Sequence, residues 1–540
     1  MLADSFCLKV AATNAIRPHN HPMHPSMQKI SSAVSQPLYG VAATRELELR
    51  AAAGLPPHML MQRAGLAVAR LTLALAPHAR RIWVACGPGN NGGDGFEAAL
   101  HLHQWGKTVV VTWTGPPPGK TSLPPDADAS RQRALAAGVP MSAQPPEDFD
   151  FCIDALLGIG AQLDPARAGT GSLQQWLDAM QASAAPRLAV DVPTGLDADT
   201  GTTNATKPTA RNSRFATGND LFTLSLLTLK PGLFTASGRD LAGQVWFDDL
   251  GVAATSSRAT VPDAWLLGAD RAARFARAGA AHASHKGSFG DVAVVGGESA
   301  SGRHMTGAAL LAARAALHAG AGRVYVALLT GMGEVPMNVD PTQPELMFRN
   351  PGALNLKQQV VVCGCGGGEA VKPVLAKVLS AAPQVVLDAD ALNAMAEDPQ
   401  LQTQLKARHY RGYDTVLTPH PLEAARLLGT TTPEVQADRL AAARQLASRF
   451  QCAVVLKGSG SVIAAPGQPP CINASGNALL ATAGTGDVLA GMIGAAMAGG
   501  QGPFEAACCA VFAHGNLADE WATYRPGVAL TASALAGNAC

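Results

Sequence analysis

In the first half of the chain, acidic and amide side chains stand where apolar runs end. Asp94 lies in CGPGNNGGDG, Asp154 in FDFCIDALLGIG and Asp191 in RLAVDVPTGLDADTG. Carboxylates so placed can relay protons, and with Asn carbonyls and the Thr194 hydroxyl they offer hard oxygen ligands to a Group I or II cation. The glycines Gly87, Gly89 and Gly92 also fit the G-x-G-x-x-G spacing of a dinucleotide-binding redox loop. That fingerprint needs an acid about twenty residues on to hold a ribose hydroxyl. The following run, TVVVTWTGPPPGK, contains no Asp or Glu. Asp94 would also repel a pyrophosphate in the loop. GPPPGKT imitates a phosphate loop, but its three prolines have no N–H to offer. A tight turn with Asp94 capping the next helix is the alternative for CGPGNNGGDG taken alone.

In the second half, Ala483-Gly484-Thr485-Gly486-Asp487 leads straight into an apolar stretch. A glycine-rich turn at a helix start presents free N–H groups and the positive dipole end to a phosphate. Asp487 beside it could accept the proton of a hydroxyl that attacks a phosphoryl group, or it could simply cap the helix. Lys457-Gly458-Ser459-Gly460-Ser461 follows another apolar run and could cradle phosphates or sugar; His420 follows a third, in LTPHP.

These residues need a frame, and the hydrophobic pattern supplies one. Apolar runs at 82–85, 109–113, 149–153, 188–192 and about 224–229 alternate with helical stretches at 96–105, 127–137 and 172–182. The pattern resumes at 292–295, 324–328, 360–363, 385–387, 415–417 and 454–456, with strong helices expected at 307–319 and 487–498. Such alternation predicts parallel sheets covered by helices on both faces, whose ligands bind at the carboxyl ends of the strands. The polar stretch AATSSRATVP, ending at Pro262, reads as a linker over 253–264 between two different α/β folds, 39–252 and 265–538. Residues 1–38, including His19, His21 and His24, read as a disordered tail.

With 540 residues, 47% of them hydrophobic, the chain can bury two cores; Lys+Arg 41 against Asp+Glu 40 gives no global field for nucleic acid or membrane. The ten cysteines form no CxxC, and Cys363/Cys365 and Cys508/Cys509 lack matching second pairs. They read as buried thiols of a cytoplasmic protein. No apolar run approaches the roughly eighteen residues of a membrane span.

GPGNNGGDG, DALLGIG and DVPTGLDADTG, in this order and spacing over about residues 40–250, resemble the NAD(P)H-hydrate epimerase domain. HKGSFGDVAVVGG, MTGAALLAARAAL, LTPHPLEAARLLG, VVLKGSGSVIA and NALLATAGTGDVLAGMIGA, over about 265–535, resemble the ADP/ATP-dependent NAD(P)H-hydrate dehydratase. The resemblance implies a Rossmann-like three-layer domain followed by a ribokinase-like α/β domain. It implies interconversion of the R and S epimers of hydrated NADH and NADPH, then dehydration of the S form with ADP. By the same resemblance, Asn90, Asn91, Gly92, Gly93 and Asp94, with Gly158, Ile159, Gly160, Ala161, Gln162, Leu163 and Asp164, would line the hydrate, and Asp191 would touch it and do acid/base work. Asn91, Asp154 and Thr194 would ligate K+. In the second domain Ala308, Gly366, His420 and Asp487 would contact the S hydrate, with Asp487 as base. Lys457, Gly458, Ser459, Gly460, Ser461 and Gly486 would hold the adenine nucleotide with Mg2+. The expected partners are small molecules, with neither nucleic acid nor membrane, in a homo-oligomer. The sequence departs from the family at GCGGG (364–368), where GPGLG is usual. The competing expectation is a ribokinase-type small-molecule kinase with a non-catalytic ligand-binding first domain.

Overall fold

The computed structural model describes residues 27–116, 122–160, 170–203, 220–252, 260–272, 281–300, 302–331 and 337–539. In chain order the strands of the first half are β1 (Met27–Lys29), β2 (Gln36–Leu38), β3 (Arg81–Cys86), β4 (Thr108–Trp113), β5 (Met141–Ser142), β6 (Phe151–Ala155), β7 (Arg187–Val190), β8 (Leu221–Leu226) and β9 (Gln244–Asp248). All but β2 form one sheet in the order β1-β9-β8-β7-β6-β3-β4-β5. It is parallel except for β1, which runs antiparallel to β9. The direction of strand succession reverses at β3, between β4 and β6. A crevice at that reversal is where open α/β sheets take ligands.

The second half contributes β10 (Ala264–Leu267), β11 (Asp291–Ala300), β12 (Arg303–His304), β13 (Arg323–Thr330), β14 (Met347–Phe348), β15 (Val360–Cys363), β16 (Gln384–Leu387), β17 (Asp414–Leu417), β18 (Ala453–Leu456), β19 (Val462–Ala464) and β20 (Cys471–Asn473). Its sheet runs β14-β13-β11-β15-β16-β17-β18-β19-β20-β10-β2, with β12 beside β11. The succession reverses at β11. From β14 to β18 neighbours are parallel, and β18-β19-β20 form an antiparallel flank. Runs such as VVVC in β15 and AVVL in β18 are buried along their whole length. Helices covering both faces of a parallel sheet require such unbroken apolar strands.

Three expectations are corrected. Residues 27–38, expected to be disordered, contain β1 and β2, and β2 pairs antiparallel with β10 in the second sheet. The linker expected over 253–264 lies outside the described residues at 253–259, and its last residue, Ala264, begins β10. The halves are therefore knitted together. Tyr39 N donates to Leu229 O at 2.8 Å and Gly40 N to Asp263 Oδ2 at 2.8 Å. One continuous core contains Leu38, Leu229, Leu233 and Phe234 together with Leu387 and Leu456. Finally, the helix expected from residue 96 spans Asn90–Gln104. Glycine and asparagine have poor helix propensity, so the first turn is hidden in sequence. Close packing compensates: a Cβ on Gly92 would sit 2.2 Å from Gly87 O, and one on Gly95 would sit 2.6 Å from Ala155 Cβ.

Candidate active sites

The first sheet's reversal opens a cavity of about 530 Å³ whose lining includes Glu48, Asn90, Asn91, Asp94, Gly158 and Asp191. Ile159 and Gly160 line it as well; Ala161, Gln162, Leu163 and Asp164 lie outside the described residues. Gly92 and Gly93 are buried in the first turn of the helix Asn90–Gln104 and serve its packing. Asp191 follows β7 in a left-handed conformation, φ 66°, which a non-glycine residue adopts only where its surroundings hold it. Its carboxylate forms an ion pair with Lys230, whose side chain is wholly buried, and accepts from Leu226 N at 3.1 Å. Lys230 Nζ also donates to Leu226 O at 2.8 Å and Thr228 O at 2.9 Å, so each of its protons has a partner. Asp94 faces the same crevice without an ion pair of its own among the described residues, and Lys230 only partly offsets its rise. Burial, with the negative charges of Asp191, Glu48 and Glu97, holds its carboxyl well above the usual range. Burial and Asp191 likewise raise Glu48.

Behind this pair, Asp154 and Thr194 are buried together: Thr194 Oγ1 donates to Asp154 Oδ1 at 2.7 Å, and Thr194 N donates to Oδ2 at 3.1 Å. Thr194 Oγ1 also lies 3.4 Å from Leu157 O. The Asn91 side chain is against Gly158, and its Nδ2 is buried with no hydrogen-bond partner among the described residues.

At the second sheet's edge, β15 leads to Cys365 and Gly366, β16 to Asp388, β17 to Thr418 and His420, and β18 to Lys457. Asp487 projects from the first turn of the helix Thr485–Ala498, whose preceding residue Gly484 has φ 90°. Ligand atoms of Cys365, Asp388 and Asp487 all lie within 4.8 Å of one another. Lys457 Nζ donates to Asp388 Oδ1 at 2.6 Å and lies 4.0 Å from Glu423 Oε2; Thr418 Oγ1 donates to the same Asp388 oxygen at 2.7 Å. Burial opposes the charge on Lys457, and the two carboxylates outweigh it, raising its pKa. Asp487 makes no ion pair of its own among the described residues, and Lys457 only partly offsets its rise. Burial and the charge of Asp388 push its pKa up to about 7. Burial, with both carboxylates, keeps the Cys365 thiol protonated well past its usual range.

Gly486 lies beside this cluster: a Cβ there would be 3.3 Å from Lys457 Nζ. Gly366 (φ 57°) and Ala308 are in contact, a Cβ on the glycine falling 2.8 Å from Ala308 Cβ. His420 caps the helix Pro421–Leu428. Its Nδ1 accepts from Leu422 N at 3.1 Å, and its Nε2 lies 3.2 Å from Glu423 Oε1. Burial and Lys457 lower the His420 pKa, which suits the neutral tautomer a cap requires. In the turn Gly458, Ser459, Gly460 and Ser461, Ser461 Oγ bonds Gly458 N at 3.3 Å and Gly458 O at 3.1 Å. Lys457 itself points into the acid cluster.

The residues that sequence reasoning missed are Lys230, Glu48, Cys365, Asp388 and Glu423. Asp388 ends the apolar run VVL as Asp154 and Asp191 end theirs, so the same signal could have found it. Lys230, inside LLTLKPGL, gave none.

Two acid–lysine centres, one on each doubly wound sheet at the carboxyl ends of its parallel strands, define an α/β enzyme with two active sites. The family model described as YjeF-related protein N-terminus matches residues 57–232, and the one described as NAD(P)H-hydrate dehydratase matches 292–538. The bifunctional NAD(P)H-hydrate repair enzyme Nnr of Escherichia coli (strain K12) is 37% identical over 86% of this chain and 85% of its own. The ADP-dependent (S)-NAD(P)H-hydrate dehydratase of Neisseria meningitidis serogroup B is 44% identical over 47% of this chain and 84% of its own. A crystal structure of the ADP/ATP-dependent NAD(P)H-hydrate dehydratase from Bacillus subtilis, co-crystallised with ATP/Mg2+, matches at 31% identity and a TM-score of 0.41, over 48% of this chain and 91% of that one. The chain belongs to the family of bifunctional NAD(P)H-hydrate repair enzymes.

Proposed function

We propose that the first site epimerises R- and S-hydrates of NADH and NADPH, and that the second dehydrates the S form at the expense of ADP. The observation that carries this reading is the pairing, in each site, of a lysine-held carboxylate with a second carboxyl kept near neutrality or above by burial. Carboxyls driven apart by their surroundings divide acid and base roles at neutral pH.

In the first site Asp191, held by Lys230, accepts the proton of the C6 hydroxyl. The C6–N1 bond breaks, and its electron pair on N1 takes the proton of Asp94. The aldehyde turns over, and reversal of both transfers closes the ring on the opposite face. K+ fits beside it: Asp154, Thr194 and Leu157 O form an all-oxygen cluster, and the unpartnered amide of Asn91 can turn its carbonyl inward. The bound cation would supply fixed positive charge behind the crevice.

In the second site Asp487 takes the proton from the S-hydrate C6 hydroxyl, whose oxygen attacks the terminal phosphoryl of ADP and releases AMP. Inorganic phosphate, a far better leaving group than hydroxide, then departs from C6 with the C–O electron pair, and loss of a C5 proton to the departing phosphate or to water re-forms the C5–C6 ring double bond. The start of the helix Thr485–Ala498 faces the transferred charge. Asp388 would hold Mg2+ brought in with ADP, and the cation would spread charge on the phosphates. The turn 457–461 and Gly486 receive the nucleotide. Ala308, Gly366 and His420 shape the hydrate pocket, and the small Ala308–Gly366 contact leaves room for a flat ring. Purified protein given mixed R- and S-hydrate with ADP is expected to regenerate the absorbance of reduced nicotinamide completely. Recovery of the S fraction alone would remove the first activity, and a stable phosphorylated product would favour a simple kinase.

A further inference from the structure

The turn Gly458-Ser459-Gly460 does not stand on its own domain alone. One side, at Gly458 and Ser459, is exposed. The other is pressed onto Phe234, which ends the 3-10 turn Pro231–Phe234 of the first domain, and onto Thr235 and Ala236, which follow it. A Cβ on Gly460 would fall 2.0 Å from Phe234 O, so no side chain fits between the domains there. Ala236 N donates to Ser459 O at 3.2 Å, and the Thr235 hydroxyl lies 3.3 Å from both Ser459 O and Gly460 O. Thr235 is fully buried. Its Oγ1 also accepts from Arg439 Nε at 3.2 Å, and Arg439 Nη2 lies 3.2 Å from the carbonyls of both Leu456 and Lys457. Gly458, at φ 143°, is packed against that guanidinium, 2.9 Å from the place a Cβ would take.

Two glycines in three residues leave such a turn many conformations, and fixing them costs entropy. Here one buried hydroxyl from the other domain meets both carbonyls of the turn and the arginine that underlies it. We propose that Thr235 of the first domain is a positioning residue for the nucleotide of the second, holding the 458–460 turn in the shape that receives ADP. This rests on the assignment of the turn to the nucleotide. It implies that fusion of the two domains completes the dehydratase site.

The test compares Thr235→Val, Thr235→Ser and Ser461→Ala in the full-length chain. Thr235→Val keeps the shape and removes the hydroxyl. It is expected to raise the KM for ADP about five- to tenfold, the scale of one or two lost buried hydrogen bonds, with the KM for S-hydrate and the R-to-S rate unchanged. Thr235→Ser, which restores the hydroxyl, is expected to return the ADP KM to near wild type. An unchanged ADP KM in Thr235→Val, or an equal rise in both KM values without rescue by serine, overturns the proposal. Ser461→Ala separates the two assignments. If it raises the ADP KM while Thr235→Val does not, only the interdomain role falls. If it leaves the ADP KM untouched, the nucleotide assignment of the turn falls and takes the proposal with it.

Discussion

The two sites solve one electrostatic problem on two different sheets. In each, a lysine, wholly buried at Lys230 and partly buried at Lys457, is committed to an acid at the end of a strand: Lys230 to Asp191, and Lys457 to Asp388. In each, a second acid stands near the start of a helix, Asp94 in Asn90–Gln104 or Asp487 in Thr485–Ala498, and is pushed upward by burial and by the paired carboxylate. The difference lies in depth and neighbours. Besides burial, Asp191, Glu48 and Glu97 raise Asp94, and Lys230 opposes them. Asp487 has Lys457 and the Cys365 thiol to moderate it and settles at about 7. A group near 7 can serve as a base in the cell, whereas one held well above its range is better used as an acid. Under the proposed mechanism the lysine-bound acid serves as the base in the first site, and the unbound acid serves as the base in the second.

The largest effect expected from that contrast is on the second site: Asp487→Asn should slow dehydration of S-hydrate by about 10³-fold or more, with R-to-S conversion intact in a coupled assay. Asp191→Asn should slow R-hydrate consumption by about 10²-fold and leave S-hydrate dehydration unchanged; equal activity in the variant would reverse the roles of Asp191 and Asp94. Lys230→Met leaves Asp191 without its cation, and urea denaturation should show a loss of about 3 kcal/mol together with loss of epimerisation. The pH dependence follows the sign of the shift. Asp487 must be ionised to act as base, and its raised pKa means this form is lost as pH falls through about 7, so the dehydration rate should fall below that value. Smallest of all, Cys365→Ala removes a donor to the Asp487 carboxylate and should move the limb to higher pH, while Cys365→Ser should restore it.

Strand positions were readable because parallel strands between two helical layers must be apolar throughout, as in β3 and β15. The acids Asp94, Asp154, Asp191 and Asp487 stood out because polarity at the end of such a run is conspicuous. The helix start at Asn90 was not readable, since its stability comes from Gly92 and Gly95 fitting against Gly87 and Ala155. Lys230 was hidden by its apolar neighbours; only the tertiary fold shows that it meets Asp191 and three main-chain or hydroxyl oxygens. The pairing of β2 with β10 joins Leu38 to Ala264, and no local pattern carries information over that separation.

That last pairing bears on how the protein can be divided. A cut at the apparent boundary near residue 260 would remove β2 from the second sheet and leave β10 with a bare edge, the kind of surface that recruits other chains. It would also strip Leu38, Leu229 and Phe234 from the shared core. A second half expressed alone should therefore carry residues 36–38 back on a tether, or have its outer strand redesigned, before its solubility is taken as a property of the fold.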